Sequence, residues 1–257
     1  MSYRYDNDLE FLGKCTNEEL RDLFTLLTRD PKDNSERFTS TLTVSDEYKK
    51  YGTDYSKYWR RIAEELQLYG GNTFANIFFR GSTGVLYREI LEDVAKGLKV
   101  IYAKSSSTRE IEDAVIEKIL SDVFSKMSEE EIKEFFSEIS EDDDVLKRTI
   151  SSYDTNNAPW RKISMSLVRQ ILKTGGFATY KLSLIAVNFI WKKLFGKGLS
   201  LAMNRGLTKM IGNLLSGPIA LILNAWIVAD IAGPATRVTV PAVMLVAALR
   251  KKKMQNL

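Results

Sequence analysis

Apolar residues recur at helical spacing from Leu20 to Ile139, and most of the recurrences start behind a polar cap. Thr16-x-x-Glu19 is a capping box, in which each side chain answers the other's unpaired backbone N–H. Leu20, Leu23, Phe24 and Leu27 follow as the i, i+3, i+4, i+7 stripe of a helix. Pro31 ends that element, and residues 32–45 read as a polar, Thr/Ser-rich connection. The spacing predicts a second helix over residues 54–69, with Tyr55, Tyr58, Trp59, Ile62, Leu66 and Tyr69 on one face and Gly70-Gly71 as its left-handed stop. A third is expected over residues 85–102. Two more capping boxes, Ser107-x-x-Glu110 and Ser128-x-x-Glu131, open further helices, the second carrying Ile132, Phe135, Phe136 and Ile139.

Residues 141–159 form the expected boundary. Asp142-Asp143-Asp144 is an acidic run, residues 151–157 have loop composition, and Pro159 suits the first turn of a new helix. Over residues 160–173 the pattern is amphipathic and basic: Lys162, Arg169 and Lys173 stack on one side, while Ile163, Leu167 and Ile171 point away. Beyond Gly175-Gly176 the chain is more apolar, with helices expected over residues 177–195, 199–215 and 218–231. Residues 210–229 are uncharged for 20 positions, the length of a bilayer span of about 20. They include Gly212, Asn213, Ser216, Gly217, Pro218 and Asn224, however, and the last apolar piece, residues 238–249, is too short to cross as a helix. The pattern argues against a spanning hairpin. No run of alternating residues builds a sheet in the first half. The expected fold is all-α: an acidic multi-helix N-terminal region followed by a basic, apolar helical C-terminal region.

Charge divides the chain at the same place. Residues 1–150 carry 31 Asp and Glu against 22 Lys and Arg, a formal −9; residues 151–257 carry 15 Lys and Arg against Asp154 and Asp230 alone, a formal +13. The whole-chain charge of +4 averages the two. Two regions are therefore expected, 1–150 with a short subregion over 1–45, and 151–257. An asymmetry of this size points to an anionic partner for the basic half: a membrane, a nucleic acid or the acidic half itself.

The chain has no histidine, and Cys15 is its single cysteine. That removes the usual triad base, proton shuttle and nitrogen metal ligand, and excludes an internal disulfide or a thiolate zinc site. No catalytic residue, metal or cofactor is assigned, and a non-enzymatic protein is expected. The first residues, Met1 to Asp6, are polar and charged, which argues against a secretory signal and for the cytoplasm.

The basic residues Lys192, Lys193, Lys197, Arg205, Lys209, Arg250, Lys251, Lys252 and Lys253 are interleaved with Trp191, Phe195 and Trp226. Aromatic residues beside lysines suit a lipid headgroup interface. The plainer reading is a helical core with a basic rim. Nucleic acid is disfavoured, because no binding motif accompanies the charge. Asp230 and Arg237 flank a turn sequence and are read as a structural ion pair. Arg80-Gly81-Ser82-Thr83-Gly84 before a helix is a weak anion-binding candidate, lacking the Gly-Lys-Ser/Thr ending of a P-loop; a plain Gly-rich turn is the competing reading. Cys15, before a helix start, reads as an inert thiol, and the acidic run as a solvated linker.

Several blocks resemble a YaaW-like bacterial family. These are Gly217-Pro218-Ile219, Trp226, Asp230-Ile231-Ala232-Gly233-Pro234-Ala235, Arg237-Val238-Thr239 and Pro241-Ala242-Val243 near the C-terminus. Upstream, Tyr5-Asp6-Asn7-Asp8-Leu9, residues 70–76 and Tyr87-Arg88-Glu89-Ile90-Leu91 are similar to the same family. The resemblance implies a helical fold and, through a remote grouping with the ubiquinol–cytochrome c chaperone domain, a non-enzymatic role. The expected function is that of a cytoplasmic helical protein whose basic, apolar half engages an anionic membrane at its inner face, held off by the acidic half. The alternative is a soluble chaperone or assembly factor that binds a client protein on its apolar surface. Self-association is compatible with both.

Overall fold

The computed structural model describes residues 3–30, 34–37, 41–73, 84–141, 143–153, 158–196, 198–199, 212 and 236–254. These form ten α-helices, α1 (Asn17–Thr28), α2 (Asp46–Tyr51), α3 (Trp59–Thr73), α4 (Tyr87–Gly97), α5 (Thr108–Phe124), α6 (Glu129–Ser140), α7 (Asp144–Ser151), α8 (Trp160–Thr174), α9 (Gly176–Phe195) and α10 (Thr236–Met254). Single 3-10 turns precede α1 (Glu10–Lys14) and α3 (Tyr55–Tyr58). No strand occurs among the described residues; Arg29 and Glu36 form an isolated bridge. The fold is all-α, as the periodicity predicts.

All three capping boxes are formed. The backbone N–H groups of Thr16, Ser107 and Ser128 donate to Glu19, Glu110 and Glu131 at 2.8, 2.6 and 2.7 Å, and each cap oxygen accepts from the third residue of its helix. Such a cap contributes about 1 kcal/mol and fixes where the helix starts.

The core is built around α10. Every residue from Val238 to Arg250 is buried. The helix runs along α9 and is surrounded by α1, α3, α4, α5 and the 3-10 turn at Glu10–Lys14. A helix that is apolar all round has no face to offer water, so the interior is its place in a folded chain. Pro241 sits inside it. Its missing N–H withdraws the donor from the Arg237 carbonyl, a cost confined to the first turns of the helix. Helices from both sides of the charge boundary therefore share one core. Their edges are joined by an aromatic cluster in which Phe124 of α5 meets Phe135 and Phe136 of α6, and Phe136 stacks on Trp160 of α8.

Several elements differ from expectation. Gly70-Gly71 does not stop its helix, since α3 continues to Thr73. Gly70 is instead a point of close approach between α3 and α4. A Cβ there would meet Ile90 Cδ1 at 2.7 Å and Val85 Cγ2 at 2.8 Å. The helix expected to reach residue 102 ends at Gly97, because Lys99 takes a left-handed φ of 57° and the Val100 N–H turns back onto the Ala95 carbonyl. Two short helices appear where connections were expected: α2 lies between the predicted first and second helices, and α7 lies within the expected boundary. The helices expected over 199–215 and 218–231 lie outside the described residues, apart from isolated positions.

Gly70→Ala is expected to destabilise the fold by about 1–3 kcal/mol through overpacking. Gly97→Ala should be neutral or slightly stabilising, since no atom lies within 4 Å of that Cβ and φ is not positive there. Equal thermal unfolding midpoints for the two variants would refute the close approach of α3 and α4.

Candidate functional site

The basic end of α10 is clamped by the acidic half. Arg250 donates from Nε to both carboxylate oxygens of Glu112 at 3.1 Å and from Nη2 to the Asp8 carbonyl at 2.8 Å. Its guanidinium lies 4.7 Å above the Phe11 ring. Tyr87 donates its hydroxyl to Glu112 at 2.8 Å, and its backbone N–H reaches the Asp6 carboxylate at 2.6 Å. Thr108 donates to the Asp8 carboxylate at 2.8 Å. In the residues that follow directly, Lys251 pairs with Asp113, while Lys252 and Lys253 converge on Glu19 at 2.9 and 2.6 Å. The N-terminal strap (residues 3–9), α1, α4 and α5 are thus all fastened to one helix end.

Other cations of the basic half also pair across the boundary, Arg161 with Glu129 and Arg169 with Glu117. Six of the fifteen cations of residues 151–257 thus meet acidic residues of the first half.

Burial governs the titration of this cluster. It pushes the Glu112 and Asp113 carboxyls up against the pull of Arg250 and Lys251. It raises the Tyr87 hydroxyl far above its ordinary value, with Glu112 adding to the effect. Burial also raises Glu19, but hydrogen bonds from Lys253, Lys252 and Thr16 outweigh it and hold that carboxyl below the usual 4.5. What opposes burial at Glu112 is first the charge of Arg250 and then the hydrogen bond from Tyr87, and a buried ion pair of this kind fixes geometry more than it adds stability.

The signs separate the groups. Glu19, depressed in the fold, contributes stability above about pH 4.5 that is lost as pH falls through its folded value. Glu112 and Asp113, raised in the fold, favour it below their unfolded values, and that gain is lost as pH rises through their folded values. Glu19→Gln should flatten the loss of stability as pH falls below about 4.5, where Glu19 would otherwise take up its proton. Urea titrations across that range check this, and an unchanged slope would show that Lys252 and Lys253 do not hold Glu19.

Two solvent-facing recesses flank α7. The apolar one, of about 340 Å³, lies between α7 and the junction of α8 with α9. Val145, Leu146 and Thr149 form one wall, and Ile171, Phe177 and Ala178 the other. Val145 is 58% exposed and Phe177 44%. The junction depends on Gly175 and Gly176, whose φ angles of 76° and 74° lie in the left-handed region that disfavours side chains. Asp143 stands at the rim with its carboxylate capping α7 on the Leu146 N–H at 2.9 Å. The second recess, about 790 Å³ and more open, lies between α6 and α7, with Glu130, Glu134, Glu138 and Glu141 along it beside Lys133 and Lys147.

Of the residues expected at a membrane, Trp191 is buried and stacked on Phe195 at 4.3 Å, and Lys192 is half-buried with a partner. Arg250, Lys251, Lys252 and Lys253 are the clamp. The side chain of Lys193, and Lys197, Lys209 and Trp226, lie outside the described residues, as do Gly217, Pro218, Asp230, Gly233 and Pro234 of the resemblance blocks. Arg237 opens α10 and Pro241 is buried within it; the proposed Asp230–Arg237 pair lies outside the described residues through Asp230. Arg80, Gly81 and Ser82 of the weak anion candidate are likewise outside. Gly84 accepts from Arg4 at 3.5 Å and abuts Gln67, where a Cβ would come within 2.6 Å. Cys15 is buried, and burial, reinforced by Glu19, pushes its thiol up to about 12. Among the described residues no acidic or cysteine side chains converge as metal ligands do.

Sequence reasoning did not identify the clamp's acidic partners or the apolar recess. Glu112 and Arg250 are 138 residues apart, and nothing local marks their meeting. Val145 stands beside buried Leu146 and Phe177 one helical turn before buried Tyr180, so the pattern alone does not mark them as exposed.

Comparison with known proteins places these observations. Residues 3–38, which hold the strap, the first 3-10 turn and α1, match the model for a domain of unknown function (DUF3944). No solved structure matches the chain. A UPF0174 protein of Helicobacter pylori (strain J99 / ATCC 700824) is 44% identical over 99% of this chain and 95% of its own length. A second from the same strain is 41% identical over 82% of this chain and 96% of its own. UPF0174 protein YaaW of Escherichia coli (strain K12) is 32% identical over 98% and 96%. With such identity across nearly the whole chain, the protein belongs to the UPF0174 family.

Proposed function

We propose that the protein is a non-enzymatic helical binding protein that holds an apolar segment of a client protein in the recess between α7 and the α8–α9 junction. The observation that carries this reading is the pair Val145 and Phe177, two large apolar side chains left in water on opposite walls of a shaped recess. Exposed apolar surface around a concavity is the common mark of a binding site. The clamp does not compete for the role, since its charged groups are paired with one another, Glu19, Glu112 and Arg250 are buried, and neither recess reaches it.

Contact with an anionic membrane is the second reading. It rests on the charge of residues 151–257 and on Lys162 and Lys173, which are exposed on the outer face of α8. Trp191 and the four cations ending α10 are committed internally, so this contact falls to α8 and to residues beyond 196. No helix among the described residues is long and apolar enough to cross a membrane.

A fluorescent, neutral amphipathic helix of leucine and glutamine tests the first reading by anisotropy. Saturable binding lost in both Val145→Asp and Phe177→Asp, with thermal stability kept, is the expected result. Binding that survives both substitutions would remove the recess from the function. Co-sedimentation with vesicles rich in phosphatidylserine and with neutral ones tests the second; equal pelleting with both would reject the electrostatic contact.

A further inference from the structure

We infer that the recess is one half of a composite docking surface whose partner is a helix carrying an apolar stripe beside a row of lysines or arginines. This rests on the client-binding reading above and names the client's chemistry. α7 is the ridge between the two recesses. Val145, Leu146 and Thr149 face the apolar one, and Lys147 faces the acidic one. A partner helix lying across this ridge reaches both sides, because an α-helix is only about 10–12 Å across with its side chains.

The acidic side has helical spacing of its own. Glu130, Glu134 and Glu138 on α6 and Glu141 at its C-cap stand at i, i+4, i+8 and i+11, spanning roughly 16 Å at 1.5 Å per residue. Cations on a partner helix at similar intervals meet them in register. Lys133 and Lys147 face the same recess, and Lys147 is itself engaged by Asp144 at 3.5 Å, so the recess keeps a net negative sign. Residues 129–144 as a whole hold nine acidic residues against Lys133 alone. Four of them are engaged at home, Glu129 with Arg161, Glu131 in its cap, Asp143 capping α7 and Asp144 with Lys147, while Glu130 and Glu134 stand exposed on the outer surface of α6. An apolar seat with acid along one side fits a basic amphipathic helix and repels an acidic one; apolar anchoring supplies affinity and charge supplies selection.

The test uses the full chain and three peptides of identical leucine stripe, flanked by lysine, glutamine or glutamate. The lysine peptide should bind about tenfold more tightly than the glutamine peptide at low salt, and the glutamate peptide more weakly than either. The preference should shrink as salt shortens the Debye length towards about 3 Å at 1 M. It should invert in Glu130→Lys with Glu134→Lys, whose side chains are exposed and outside the core. Phe177→Asp should weaken all three peptides alike. Equal binding of all three, still lost with Phe177→Asp, would overturn the charge inference and leave the recess reading intact. Lysine-peptide binding that ignores Phe177→Asp but is lost with the α6 reversals would overturn the composite surface in favour of plain charge attraction. Failure of all three peptides would sink both. Dimerisation of the protein alone that Phe177→Asp abolishes would assign the surface to a second copy and overturn the client.

Discussion

Ending the chain at residue 235 should abolish its cooperative unfolding transition. The deleted part contains α10, whose Val238, Val240, Val243, Met244, Leu245, Val246 and Leu249 are essentially inaccessible to solvent. Burying side chains of that size contributes about 1.5–3 kcal/mol each, so their loss removes on the order of 10–20 kcal/mol. The net stability of a domain is only about 5–15 kcal/mol. The deletion also strips partners from Glu112, Asp113 and Glu19, leaving carboxylates facing an emptied core. Circular dichroism through a thermal ramp reads the outcome. A shortened chain that still melts sharply near the wild-type midpoint would show that the remaining helices hold a core without α10, and the description of a core built around α10 would fall. The same reasoning applies to a chain starting at Asn157. It retains α10 but lacks α1, α3, α4 and α5, which cover it, and is expected to aggregate rather than fold.

The second large effect is at Glu112. Glu112→Ala should cost about 3–5 kcal/mol, because it leaves the Arg250 guanidinium buried without its counter-charge. For a chain of this size that lowers the melting midpoint by roughly 6–20 °C. Replacing both partners by apolar residues, Glu112→Leu with Arg250→Met, should recover most of the loss, since a neutral pair of similar volume carries no desolvation cost. Tyr87 limits the recovery: its hydroxyl loses the Glu112 acceptor and keeps only the Val243 carbonyl, at 3.4 Å. A double-mutant cycle on thermal unfolding measures the coupling. Additive losses would mean that Arg250 and Glu112 do not depend on one another, and the clamp would reduce to surface decoration.

The sequence by itself determined the helical elements and their ends wherever the cause is local. Thr16 with Glu19, Ser107 with Glu110 and Ser128 with Glu131 are three residues apart, so the caps form within a single turn whatever surrounds them. The stripe of α6 is legible for the same reason: Ile132, Phe135, Phe136 and Ile139 share a face by helical period and are all buried. Absence of histidine bounded the chemistry without any coordinates. Gly70 shows where local reasoning ends, since helix continuation or helix stop there depends on a neighbouring helix that approaches too closely for a Cβ. α7 escaped notice because eight residues with Leu146 alone buried offer no period to detect. The charge split was visible as an imbalance, but not how it is answered. Only the tertiary structure brought Arg250, Lys251, Lys252 and Lys253 onto Glu112, Asp113 and Glu19, and only it left Val145 and Phe177 in solvent. Both outcomes are set by contacts between helices far apart in the chain, whose geometry follows from how the whole core closes around α10.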